Sequence, residues 1–124
     1  MIEIERQKGS PVVRGRFRGD LSKCDLTTFV ASLRELRDCE KRIRVLLDWT
    51  AIEKWEADTA HSSLSSIWRD LPHNIDRAAI VHEHCWDRQA AVLGAMMRIN
   101  QTVVRSWLPS NGIAAMEWLS GDGN

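Results

Sequence analysis

The chain has 124 residues, and its seventeen basic and seventeen acidic side chains set the pI near 6.9. That length supports one hydrophobic core without help from metals or disulfides, and the balanced charge gives no overall pull toward nucleic acid or an anionic membrane. Three cysteines without CxxC spacing fit free thiols in a reducing compartment, the N-terminus lacks an apolar signal region, and no stretch reaches the roughly 18 apolar residues of a membrane span, so a soluble cytoplasmic protein is expected.

Met1 to Glu5 alternates apolar and polar residues, and Pro11 to Phe17 repeats the pattern after Lys8-Gly9-Ser10. Two strands joined by a tight turn follow from that. Ser22 and Asp25 have capping-box spacing for a helix running to about Cys39, with Leu26, Phe29, Val30, Leu33 and Leu36 as its buried stripe. Arg42 to Trp49, RIRVLLDW, is rich in branched residues and flanked by charge, which suits a central strand, and Thr50 to Ala57 reads as a loop containing Trp55.

Asp58 stands where an N-cap would, ahead of Ala60, Leu64, Ile67, Trp68 and Leu71 at helical spacing, and Pro72 stops that helix. The hydrophobic period then changes within Asp76 to Met97. Ala78 to Val81 is a continuous apolar run, a buried strand, whereas from Trp86 the pattern is helical. Trp86, Ala90, Leu93 and Met97 form one stripe, and Cys85, Val92, Met96 and Ile99 a second beside it. Thr102 to Leu108 is a last strand, Pro109 to Gly112 a turn, and Ala115, Trp118 and Leu119 mark a short helix before a tail, residues 121–124, expected to be disordered. The order ββαβαβαβα implies an α/β domain over residues 1–120, with a mostly parallel mixed sheet covered by helices.

Catalytic signatures are missing: the chain has no GxSxG, no glycine-rich phosphate loop and no HExxH. The most reactive-looking stretch is His82-Glu83-His84-Cys85, between strand and helix. A continued pleat would turn His82 and His84 to one side, with Cys85 beside them as a weak metal set, but a tetrahedral site wants three or four ligands and the remaining histidines lie in other elements. Solvated turn residues are the favoured reading, and no enzyme activity, metal or other cofactor is expected. Asp48, at the end of the central strand, reads as a cap for the adjoining loop. The two apolar stripes after Trp86 exceed the ~100° that a surface helix devotes to its core. Two readings stay open: packing against the helix of Trp68 and Leu71, or a cleft in which Trp55, Trp86, Met96 and Met97 meet an apolar molecule, a membrane or a second subunit.

RIRVLLDW (Arg42 to Trp49), Trp55, RAAIVHEHCWDRQAAVLGAMM (Arg77 to Met97) and AMEWL (Ala115 to Leu119) together resemble the SpoIIAA-like family of small bacterial proteins. The most specific part is Trp86, the acid Asp87, Arg88 and then Leu93-Gly94-Ala95. The resemblance spans almost the whole chain. It implies the STAS-type fold and non-enzymatic binding of a small apolar or lipid-like ligand, with peripheral association at a membrane surface. The residues expected to carry this are Trp55, Trp68, Trp86, Leu93, Met96 and Met97. The alternative it implies is a protein–protein regulatory module, similar to anti-sigma-factor antagonists and able to form homodimers. Such antagonists carry a D-S-S-G-like stretch with a phosphorylated serine. Here that position falls near Glu56-Ala57-Asp58-Thr59, with no serine in place. Asp58 is then a permanent charge or a plain N-cap at the start of the switch helix, and Thr59 its nearest hydroxyl.

Overall fold

The computed structural model describes residues 1–6, 10–39 (backbone alone at 37–39), 42–56 and 66–121. It opens with the expected antiparallel pair, β1 (Ile2–Arg6) and β2 (Val12–Leu21). The turn expected at Lys8-Gly9-Ser10 lies largely outside the described residues, as do Asp58, Thr59 and most of the helix they would begin. Helix α1 (Lys23–Cys39) starts on the foreseen capping box: the Asp25 amide donates to Ser22 Oγ at 3.1 Å, and the Ser22 amide donates to Asp25 Oδ2 at 3.0 Å. Strand β3 (Ile43–Trp55) follows, then a helical stretch at 66–68, strand β4 (Ile75–Val81), a 3₁₀ turn (His84–Trp86) and helix α2 (Asp87–Ile99). Strand β5 (Val103–Trp107), a second 3₁₀ turn (Pro109–Asn111) and helix α3 (Gly112–Ser120) complete the described chain.

Among the described residues the sheet runs β1-β2-β3-β4-β5, with β1–β2 antiparallel and the other three pairs parallel. Successive parallel strands are therefore neighbours. Crossovers of one hand stepping one way across a sheet place every intervening helix on the same face. Strand alternation agrees: Val13, Phe17, Val45, Leu47, Trp49, Ala78, Ile80 and Val104 point into one core with Leu26, Phe29, Leu33, Trp68, Leu93 and Met97 from the helices. The residues between them, Val12, Leu46, Ala79 and Val81, point the other way and are covered by Ala115 and Leu119 of α3. Each fully buried aliphatic or aromatic side chain stabilises the fold by about 1.5–3 kcal/mol relative to its exposed state.

Helix α3 is clamped by arginines from the strands beneath it. Arg44 Nη1 donates to the Leu119 and Gly121 carbonyls at 2.8 and 2.6 Å, and Arg77 Nη1 donates to the Trp118 carbonyl at 2.8 Å. Cations at the C-terminus of a helix satisfy carbonyls that have no partner within it and complement its dipole. Arg105 lies over the Trp107 ring at 4.7 Å and over Trp118 at 5.6 Å. Gly121, the first residue of the expected tail, is thus an acceptor in this clamp. The β1–β2 half of the same sheet face carries cross-strand charge pairs instead, Arg18 with Glu3 at 3.5 Å and Arg16 with Glu5 at 3.9 Å.

Strand β3 differs from its expected length. It continues through Thr50–Ala51 to Trp55, because β2 also runs on past Phe17 and supplies ladder partners as far as Leu21↔Trp55. Register shifts between Arg16 and Arg18, and between Gly19 and Asp20, each leave one extra residue on β3. Gly19 takes φ +66°, which a glycine adopts without penalty. Bulges of this kind bend a strand and increase its twist. The bend returns Trp55 to the ring of Trp49.

The capping box makes a test of local energetics. Asp25→Ala removes the two bonds that its carboxylate accepts from the Ser22 amide and hydroxyl and is expected to lower stability by about 1 kcal/mol in urea denaturation. The Ser22 backbone bond, the largest influence, with smaller help from the Ser22 hydroxyl and the N-terminal ammonium, holds the Asp25 carboxyl below its ordinary 3.8 against the opposing effect of burial. A carboxyl depressed by folding stabilises the native state fully above its unfolded pKa, and that contribution fades as pH falls through the folded value. The wild-type and Asp25→Ala stabilities should converge in acid below 3.8.

Candidate functional site

The carboxyl ends of β3 and β4 carry a train of aromatic rings. Val45, Leu47 and Trp49 share the helix-covered face of β3 by simple alternation, so Trp49 is driven into the core and is fully buried. Phe29 meets Phe17 at 5.1 Å, Phe17 meets Trp49 at 5.8 Å, Trp49 meets Trp55 edge-on at 5.1 Å, and Trp55 meets Trp86 edge-on at 6.3 Å. His82 adds a branch, 6.1 Å from Trp49. The train begins beneath α1 and ends at the half-buried Trp55 and Trp86, one at the end of β3 and the other in the 3₁₀ turn before α2. Carboxyl ends of parallel strands are where open α/β sheets place ligands.

Two donors in this train stand out. Trp49 Nε1 and Trp55 Nε1 are buried and have no hydrogen-bond partner among the described residues. A buried, unsatisfied N–H costs about 1–3 kcal/mol. The arrangement offers apolar ring faces together with indole N–H groups that an acceptor would satisfy.

The other expected residues divide by depth. Trp68, Leu93 and Met97 are 1 %, 0 % and 1 % exposed and pack in the core beneath the train. Met96 and Val92 are half-buried on the flank of α2, Cys85 is exposed, and Ile99 at 73 % exposure lies in solvent. The second apolar stripe is thus partly packed against the core and partly open. Asp58 and Thr59 lie outside the described residues.

The HEHC stretch does not continue the pleat. Strand β4 stops at Val81, so His82 stays buried under α2 whereas His84, in the 3₁₀ turn, has a side chain 78 % exposed. The solvated-turn expectation therefore describes Glu83, His84 and Cys85, but not His82. Asp87 lies 3.6 Å from His82 Nδ1 and 3.4 Å from His84 Nδ1. Among the described residues no three His, Cys, Asp or Glu side chains gather closely enough to hold a metal ion.

Asp48 belongs to the opposite face of the sheet. Its Oδ1 accepts from the Thr50 amide at 3.0 Å and the Thr50 hydroxyl at 2.6 Å, and its Oδ2 from Arg14 Nη2 at 3.3 Å. Burial, the largest single influence, raises its pKa, but the two Thr50 bonds and Arg14 together bring the carboxyl below its ordinary value. Thr50 lies inside β3, so no loop adjoins Asp48 to be capped; its carboxylate instead braces Thr50 within the strand and pairs with Arg14 of β2, away from the aromatic cleft.

Two features of this region go beyond the sequence expectations. Trp49 is the hub of the train, and its alternation with Leu47 was the available signal. The other is a groove on the far flank of α2, where Ala90, Ala91 and Gly94 face β5.

Comparison with known proteins agrees with this architecture. The SpoIIAA-like family model matches residues 12–120. An uncharacterized protein from Shewanella loihica, described as having a SpoIIAA-like fold, superposes with a TM-score of 0.63 at 18 % identity, covering 96 % of this chain and 92 % of that one. No curated protein matches the chain.

Proposed function

Because this chain belongs to the SpoIIAA-like family, we propose that it is a non-enzymatic binding domain that takes a small apolar or lipid-like ligand at the aromatic train. The observation that carries this reading is the run of rings from Phe17 through Trp49 and Trp55 to the half-buried Trp86. Such a run gives an apolar guest continuous ring surface from solvent to core, and the indole N–H groups of Trp49 and Trp55 meet any polar atom it carries. Entry would require α2 to lift at its Trp86 end, with Met96 and Val92 adapting as the flank opens. No described helix is long and apolar enough to cross a membrane. A guest of this kind fits a cytoplasmic protein that collects its ligand peripherally at a membrane surface.

Native mass spectrometry and lipid extraction of the purified protein test this reading directly. Trp86→Ala should weaken binding of the neutral dye Nile red by about tenfold, the loss of one well-packed aromatic contact. A protein that carries no apolar molecule, binds no vesicles and takes up Nile red equally in both forms would defeat it.

A second reading, a regulatory module that binds a protein partner or its own copy without a phosphoserine switch, draws on a different surface. Ile113 is 80 % exposed, and Met116 and Leu108 are exposed beside it in sequence. Ile113→Glu should abolish a dimer seen by analytical ultracentrifugation, or capture of a specific partner, if this surface carries the contact. Unchanged association would remove that surface from consideration.

A further inference from the structure

A groove of ≈ 410 Å³ separates α2 from the edge strand β5. We propose that it binds a small organic monoanion, a carboxylate on an apolar chain, with the acid group held by Arg98. At about 100° per residue, Ala90, Gly94 and Arg98 project from the flank of α2 opposite to Val92 and Met96; the groove contains neither Trp55 nor Trp86 and meets the aromatic train through His82.

Its walls and its ends differ in chemistry. Ala90, Ala91, Gly94, Val104 and Trp107 give it apolar walls. Toward one end, Arg98 Nη2 reaches only a backbone carbonyl, that of Val104 at 3.4 Å, and no carboxylate lies within ion-pair distance among the described residues. A Cβ at position 94 would stand 3.3 Å from Arg98 Nη1. Glycine there lets the guanidinium lie back along the helix and into the groove. A guanidinium with unused donors beside apolar walls is suited to bidentate recognition of a carboxylate.

The other end carries the Asp87 carboxylate beside two imidazoles, His82 and His84. His82 is 5 % exposed and lines the groove. Its Nδ1 lies 2.8 Å from the Glu83 carbonyl and 3.6 Å from Asp87 Oδ1. Both neighbours only accept, so in the neutral ring Nδ1 carries the proton and Nε2 is an acceptor, without a hydrogen-bond partner among the described residues. The Asp87 carboxylate lines the same end. Gly94 is seven residues beyond Asp87, about 10 Å along the helix axis. A second carboxylate at that distance would meet the Asp87 carboxylate, which selects a monoanion over a dianion.

Amide NMR titrations with octanoate, suberate and octylammonium test the proposal on one chain length. Octanoate should shift the amides of Gly94, Arg98 and Ser106, and suberate should bind more weakly. Octylammonium, which Arg98 repels and Asp87 attracts, should shift the Asp87 amide and leave the Arg98 amide in place. Arg98→Gln, at an exposed position that does not endanger folding, should weaken octanoate by about tenfold or more, as loss of a charge-assisted pair does. Trp86→Ala should leave octanoate affinity unchanged, which separates this groove from the aromatic train. The proposal is overturned if octanoate shifts nothing or shifts only the amides around Trp55 and Trp86. It is equally overturned if octylammonium shifts the Arg98 amide as octanoate does, or if Arg98→Gln binds octanoate as the wild type does.

Discussion

Trp49→Ala is expected to lower the unfolding free energy by about 3–5 kcal/mol, a large part of the roughly 5–15 kcal/mol that holds a domain of this size together. The indole is fully buried and touches rings from three elements: Phe17 on β2, Trp55 at the end of its own strand, and His82 after β4. Truncation leaves a cavity bounded by groups that the strands hold in register, so little collapse can fill it. Trp49→Phe makes the informative contrast. The lost N–H has no hydrogen-bond partner among the described residues, so the substitution gives up ring area but relieves an unpaired buried donor, and a net cost below about 1.5 kcal/mol is expected. Urea denaturation of the two variants measures the difference. A Trp49→Ala protein as stable as the wild type would contradict the packing described.

Gly15→Val should cost about 2–3 kcal/mol, read as a fall in the urea midpoint with little change in slope. Gly15 lies inside β2, where a side chain would ordinarily strengthen the strand by up to about 1 kcal/mol relative to glycine. Sterics overrule that gain. A Cβ at this position would stand 2.8 Å from Phe29 Cε1 and 3.2 Å from Cζ. The Phe29 ring has little room to yield, being 2 % exposed and packed edge-on to Phe17. Helix α1 can lie close to the sheet only because this position is bare. Phe29→Leu in the Gly15→Val background should restore part of the loss, giving a coupling energy that two independent sites would not show.

Most of the element order is readable in the chain because each element has its own period: the 3.6-residue stripe from Leu26 to Leu33, the continuous run in Arg42 to Trp49, and the change of pattern at Val81 to Trp86. Ser22 and Asp25 likewise announce a helix start through local bonds alone. The features that were not readable depend on partners distant in sequence. The continuation of β3 to Trp55 requires β2 to pair with it residue by residue. The burial of His82 results from the point at which β4 ends and the 3₁₀ turn lifts His84 away. The groove beside β5 needs Ala90, Gly94 and Arg98 from one element to face Val104 and Trp107 from another. Small residues on a helix flank look the same in sequence whether they admit a neighbouring helix or leave space.

The strand order has a consequence for how the protein is made. Every strand after the first bonds to the strand synthesised just before it, so no strand must wait for a distant partner or be threaded between two already in place. The sheet can grow from one edge at the pace of the ribosome, each addition closing over a short crossover and exposing only one fresh edge at a time. The exception is the opposite face, where Leu46, Ala79 and Val81 remain uncovered until α3 is made. Nascent chains that stop before Gly112 should therefore have a paired sheet with one oily side, and a ribosome-bound truncation there should be the species that chaperones hold longest.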